Sequence, residues 1–182
     1  MWDLVFFEPD KNLMKKLGFI DFASPDGKVK VSFLKNKHRI ESEKNKISII
    51  KGKDVSYCIK NGLADAVISS ESNIENKFHL RYQDSGLTYY DVRFAKENGL
   101  AIIFSFNDFL KAKNKSIILS RMFQNAFFVR KYKADFVICS GAIKESELVG
   151  ASELLAFGEI LGFQKNETKK ALSVLYERVI SR

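Results

Sequence analysis

"DFVICSGAIKESELVGASELLAFGEILGF", residues 135–163, contains the passage that decides the fold. Residues 135–140 form a short apolar run without polar alternation, the pattern of a strand covered on both faces. The chain leaves it through Ser140-Gly141-Ala142 and enters an amphipathic helix expected over 151–161. Such a corner has two uses. Glycine at a strand's C-terminal end lets the backbone approach a ligand, and N–H groups exposed there can receive a phosphate, with Lys144 close by. Alternatively, the corner is a joint between a strand and the next helix.

The same strand-then-helix rhythm extends outward in both directions. Strands are expected over 29–34, 47–50, 64–70 and 101–106, and helices over 90–98 and 117–133. A last helix follows 163, with Asn166 as its expected N-cap. Gly62 and Gly99 fall where helices should end, just before strands. There is no internal repeat, and Pro9 and Pro25 are the only prolines, so no linker divides the chain. One α/β domain spanning 1–182 is expected, closed or nearly closed into a parallel (βα) barrel, with an open doubly wound sheet as the alternative. Functional residues should then gather at the C-terminal ends of the strands.

Composition narrows the function classes. The net charge of +8 favours polyanionic partners. Residues 28–53 carry nine basic side chains against Glu41 and Glu43, and 109–134 carry seven with no acid. The beginning of the sequence lacks a basic leader and no apolar run is long enough for a membrane span, so a cytoplasmic protein without membrane association is expected. Cys58 and Cys139 fit a reducing compartment.

Catalytic equipment is sparse. His38 and His79 stand in no metal-binding spacing, and nothing in the sequence forces Asp54, Asp65 and Asp84 together for magnesium. Ser140 lies in no nucleophile elbow, and no histidine follows it. Cys139 ends an apolar strand, as buried, inert thiols do. Neither catalytic nor metal-ligating residues are assigned.

Binding residues are easier to place. Lys35, Lys37 and Arg39, Arg81, the trio Lys111, Lys113 and Lys115, and Lys144 all fall at expected strand ends or in the loops after them, where they could converge on one rim and bind RNA. On the helix over 117–133, Ile118, Leu119, Met122, Ala126 and Val129 share the core arc. Phe127 and Phe128 fall off it, near Arg121, Gln124 and Lys131. Off-arc aromatics fill a groove against a neighbouring helix, meet a protein partner, or stack on unpaired bases. Arg121, Phe127, Phe128 and Lys131 are assigned to a partner interface.

Three stretches carry a family resemblance. "VRKYKADFVICSGAIKESEL" (129–148) with "LLAFGEILGF" (154–163), "DSGLTYYDVRFAKENGLAIIFSF" (84–106) and, more weakly, "IIKGKDVSYCIKNGLADAV" (49–67) resemble, in order, the archaeal ribonuclease P protein component 3 family. Val149-Gly150-Ala151 stand where the family usually has an Arg and then a Pro. The resemblance implies a distorted TIM-like barrel of the polymerase-and-histidinol-phosphatase type, here without that type's metal centre. It implies a cytoplasmic ribonucleoprotein endonuclease that removes 5′ leaders from precursor tRNA, in which the isolated chain is not catalytic. The RNA subunit then carries the active-site magnesium, and this chain needs no cofactor. Its partners would be ribonuclease P RNA, the component 2 (Pop5-like) protein and the other ribonuclease P proteins, with precursor tRNA as the substrate of the complex. A free-standing metal-dependent phosphoesterase on the same barrel is the alternative, and a module that binds only protein is the third reading.

Overall fold

The computed structural model describes residues 2–33, 46–52, 55–68, 84–171 and 173–180. Seven strands form one sheet among these residues: β1 (Trp2–Leu4), β2 (Asp21–Ser24), β3 (Val29–Phe33), β4 (Lys46–Lys51), β5 (Ala66–Ile68), β6 (Ala101–Ser105) and β7 (Phe136–Cys139). They pair in chain order, and every pair is parallel. The connecting helices are α1 (Lys11–Lys16), α2 (Val55–Lys60), α3 (Tyr89–Glu97), α4 (Phe106–Leu110), α5 (Lys115–Tyr132) and α6 (Ala151–Ile160), followed by α7 (Lys165–Ala171) and α8 (Val174–Ile180). No described helix is long and apolar enough to cross a membrane.

The first and last strands meet through the Ser140-Gly141-Ala142 corner. The Gly141 N–H donates to the Leu4 carbonyl at 3.2 Å, and the Phe6 N–H donates to the Ala142 carbonyl at 2.7 Å. These bonds extend β7 alongside β1 and bring the two sheet edges together, so the architecture is a TIM-like α/β barrel. Distortion enters between β2 and β3. A parallel pair normally needs a long crossover, yet only residues 25–28 intervene. The register explains how: Ala23 pairs with Val29 and Ser24 with Lys30, so β3 starts beside the end of β2 and continues upward.

Strand alternation divides the core into two. Leu4, Ala23, Val29, Val31, Ile47, Ile49, Ala66, Ile68, Ala101, Ile103, Val137 and Cys139 point into the barrel, with Leu175 of α8 among them. Their neighbours, including Val5, Phe22, Ile50, Val67, Ile102, Phe104 and Ile138, face the helices. Both faces of β6 are therefore buried, which is why its sequence is apolar throughout. α8 closes the end opposite the corner, where Leu175 and Tyr176 meet Trp2, Ile47 and Val137. The Tyr176 ring stacks on Trp2.

Local signals set the helix boundaries. Thr88 and Asp91 form a capping box at the start of α3. Asn114 caps α5 by accepting from the Ile117 N–H, so the helix begins at Lys115, two residues before the start expected from the sequence. Gly62 and Gly99 both take positive φ just after helices, as their positions suggested. Asn166 is not an N-cap. It lies inside α7, and the Gln164 N–H at the helix entrance is bound by the Glu167 carboxylate at 2.8 Å. The expected single final helix is two, α7 and α8.

Candidate nucleic-acid interface

The corner that follows β7 is fully committed to holding the barrel together. The Ser140 N–H donates to Asp3 Oδ1 at 2.8 Å, and the Gly141 N–H is used in the seam. The Ala142 N–H donates to Ser140 Oγ at 3.3 Å, and the Ile143 N–H donates to Glu147 Oε2 at 3.0 Å. The Ser140 carbonyl accepts from both the backbone and the side chain of Asn107, at 3.0 and 2.7 Å. Asn107 also donates to the Glu147 carbonyl at 2.9 Å, fastening α4 to the chain beyond the corner. All four successive N–H groups are occupied, so the corner is a joint and not a phosphate cradle. Gly141 is required there: its φ is +62°, and a Cβ would run into Ser105 Oγ.

Two buried groups at the seam feel their surroundings. Burial pushes the Asp3 carboxyl up to about 6, against the pull of its hydrogen bonds to Ser140 and Leu4. Burial also pushes the Cys139 thiol well up, with the Asp3 charge adding to the effect. Cys139 is the buried thiol its strand position suggested.

Charges at the strand ends form a chain of alternating sign. Lys51, the last residue of β4, reaches both Asp108 oxygens at 2.9 and 3.0 Å. One turn further along, Lys111 reaches Glu147 Oε2 at 2.7 Å, and Lys144 lies 4.0 Å from Glu147 Oε1. Lys111 and its hydrogen bond are the main reason the Glu147 carboxyl is held below its usual range. Such solvent-screened pairs add little to stability, so they orient the lysines more than they stabilise the fold. Lys111 and Lys144, expected on one rim, are thus brought together by Glu147. Lys113 and Lys115 are exposed between α4 and the start of α5. Lys35, Lys37, Arg39 and Arg81 lie outside the described residues.

The expected partner face divides. Phe127 is 58% exposed, and Phe123, one turn earlier and overlooked in the sequence, is 42% exposed. With Ser116, Ser120 and Arg130 they form an outward stripe along α5. Arg121 does not belong to that face. It is 6% exposed on the flank that packs beside the loop before α3, where neighbouring Asn125 donates to the Ser85 carbonyl at 3.0 Å. Phe128 is partly buried against the outer core. Lys131 is exposed, with its Nζ 5.5 Å from the centre of the Tyr132 ring.

Among the described residues, the donors at the strand ends do not suit a metal centre of the kind the barrel type implies. Of the carboxylates there, Asp108 and Glu147 are ion-paired with Lys51 and Lys111. Glu8, a carboxylate there, accepts from Ser24 Oγ at 2.6 Å, and hydrolytic metals need several converging His, Asp or Glu ligands. Asp65, at the opposite end of β5, is bound by the Ser48 N–H and hydroxyl at 2.9 and 2.8 Å. Asp84 accepts from the Gly86 N–H. Asp54, His38 and His79 lie outside the described residues. No group of three His, Cys, Asp or Glu able to hold a metal occurs among the described residues.

Comparison with known proteins agrees with the residue pattern. No protein-family model matches the chain. Ribonuclease P protein component 3 of Methanosarcina acetivorans is 31% identical over 102 residues, which cover 55% of this chain and 43% of that protein. The proteins of the same name from Methanosarcina barkeri and Methanosarcina mazei are each 32% identical over the same length. The match thus spans under half the length of these curated relatives. One chain of a cryo-EM structure of archaeal ribonuclease P with mature tRNA superposes over 100% of this chain and 90% of its own length, with a TM-score of 0.68 and 14% identity. That likeness shows a shared fold. The chain is therefore similar, over 55% of its length, to proteins named ribonuclease P protein component 3.

Proposed function

We propose that this chain is a protein subunit of ribonuclease P. It supports removal of 5′ leaders from precursor tRNA by binding and stabilising the catalytic RNA together with the component 2 (Pop5-like) protein, in a cytoplasmic ribonucleoprotein. The observation that carries this reading is the 31–32% identity to proteins named ribonuclease P protein component 3. The strand-end chemistry among the described residues is in keeping with it: lysines paired with Asp108 and Glu147, and hydrogen-bonded hydroxyls, stand there. Magnesium and the bond-breaking step then belong to the RNA, and this chain supplies cations that offset repulsion between closely packed phosphates.

Lys111, Lys113, Lys115 and Lys144 are the proposed RNA contacts, with Lys51 added to them. Lys35, Lys37, Arg39 and Arg81 keep the same proposed role on the strength of the sequence. The partner protein is proposed to meet Phe123 and Phe127 on the outward stripe of α5, with Lys131 at its margin. The test is reconstitution. Leader removal that rises when the chain joins the RNA and the other proteins supports the reading, and a Phe123→Ala/Phe127→Ala variant should lose component 2 while retaining RNA.

A further inference from the structure

A group of tyrosines on the α3 side of α5 is unused by this scheme. Tyr89 and Tyr90 open α3, and Tyr90 is 53% exposed. Their ring centres lie 3.9 Å apart, and Tyr89 stacks towards Tyr132 of α5 at 6.4 Å, with the planes 24° from parallel. The Tyr89 hydroxyl is hydrogen-bonded to Tyr90, which holds the Tyr89 phenol above its usual pKa, and Tyr89 is 39% exposed. Lys131 extends over Tyr132, and Arg93 stands exposed one turn after Tyr89. Residues 109–134 contain no acid, and the Glu97 carboxylate beside Arg93 lies 3.7 Å from its guanidinium. This flank lies across α5 from the outward Phe123 and Phe127 stripe, with Lys131 between the two.

Clustered solvent-facing rings next to cations suit a ligand with a planar π-face and a phosphate. Unpaired nucleotides have both, whereas paired bases keep their faces inside the helix. We propose that Tyr89, Tyr90 and Tyr132 form a stacking platform for unpaired RNA bases, with Arg93 and Lys131 holding the adjoining phosphates. This deepens the RNA-subunit reading and rests on it. Specifically, the platform selects single-stranded segments, while the strand-end lysines bind phosphate in either form of RNA.

The experiment compares an unpaired polyuridine oligonucleotide with a blunt RNA duplex of equal phosphate number, each titrated with the full chain at several salt concentrations. Tyr89→Ala/Tyr90→Ala should bind the unpaired strand about 10- to 100-fold more weakly. Duplex binding should stay within about twofold and the salt dependence should keep its slope, because every cation remains in place. Tyr89→Phe/Tyr90→Phe should restore binding, which separates stacking from any disturbance of the helix start. Unchanged binding of the unpaired strand, or equal weakening on both RNAs, overturns the platform and leaves the subunit reading standing. Loss of component 2 binding with both RNAs unaffected overturns it in favour of a protein contact. Failure of the unaltered chain to bind either RNA overturns the platform and the RNA-binding role together.

Discussion

The Asp3 carboxylate accepts a hydrogen bond from the Ser140 N–H at 2.8 Å, joining residues 137 apart in the chain across the barrel seam. The same oxygen accepts from the Leu4 N–H at 2.8 Å. A buried N–H left without an acceptor costs about 1–3 kcal/mol, so Asp3 is a structural residue despite being an acid near a sheet edge. Asp3→Ala should destabilise the fold by about that amount, read as a shift in denaturant midpoint with the slope unchanged.

Asp3 also predicts a direction of pH dependence. Its carboxyl sits at about 6 in the folded protein against an ordinary value of 3.8. Between those values the folded state holds a proton that the unfolded state has released, so this group's contribution to stability is fullest below 3.8 and falls as pH rises towards 6. The loss is on the order of 3 kcal/mol. Asp3→Asn keeps an oxygen for the two N–H donors and removes the titration. Its stability relative to the unaltered chain should improve from about pH 4 to about pH 7; a constant difference would show that Asp3 titrates normally.

Gly141→Ala combines a left-handed backbone with a Cβ placed against Ser105 Oγ. A loss of about 1–3 kcal/mol is expected from the backbone strain alone. Pairing it with Ser105→Ala should recover part of the loss, and a double-mutant cycle with coupling of at least about 0.5 kcal/mol would locate the clash.

At the strand ends, replacing Lys111, Lys113, Lys115 and Lys144 by Gln should weaken RNA binding and reduce the slope of log affinity against log salt by about 0.7–0.9 for each phosphate no longer neutralised. Glu147→Gln should act in the opposite sense. It releases Lys111 and Lys144 from their ion pairs, so RNA affinity should rise. A fall in affinity would mean that Glu147 is needed to hold those lysines in position.

Long apolar strands and well-spaced helices were legible in the sequence. β6 and β7 announce themselves because both faces are covered, and Gly62 and Gly99 mark helix ends through their backbone freedom. β1 was not legible: it is three residues long and carries a buried Asp whose partner is Ser140. β2 and β3 share a register that depends on a short link, which pattern alone does not reveal. Arg121 was read as a surface residue because a helix wheel assigns charge outward, whereas α3 and its preceding loop cover that flank. The role of Glu147 and the tyrosine cluster were equally hidden, since each depends on helices or loops that meet only after folding.

The subunit role is tested most directly by cleavage of a precursor tRNA in magnesium by three samples: the chain alone, the ribonuclease P RNA with its other proteins, and the complete mixture. No cleavage by the chain alone is expected, together with a rise in leader removal when it joins the others. Magnesium-dependent cleavage by the isolated chain, or a complete mixture no faster than the one lacking it, would overturn the subunit role.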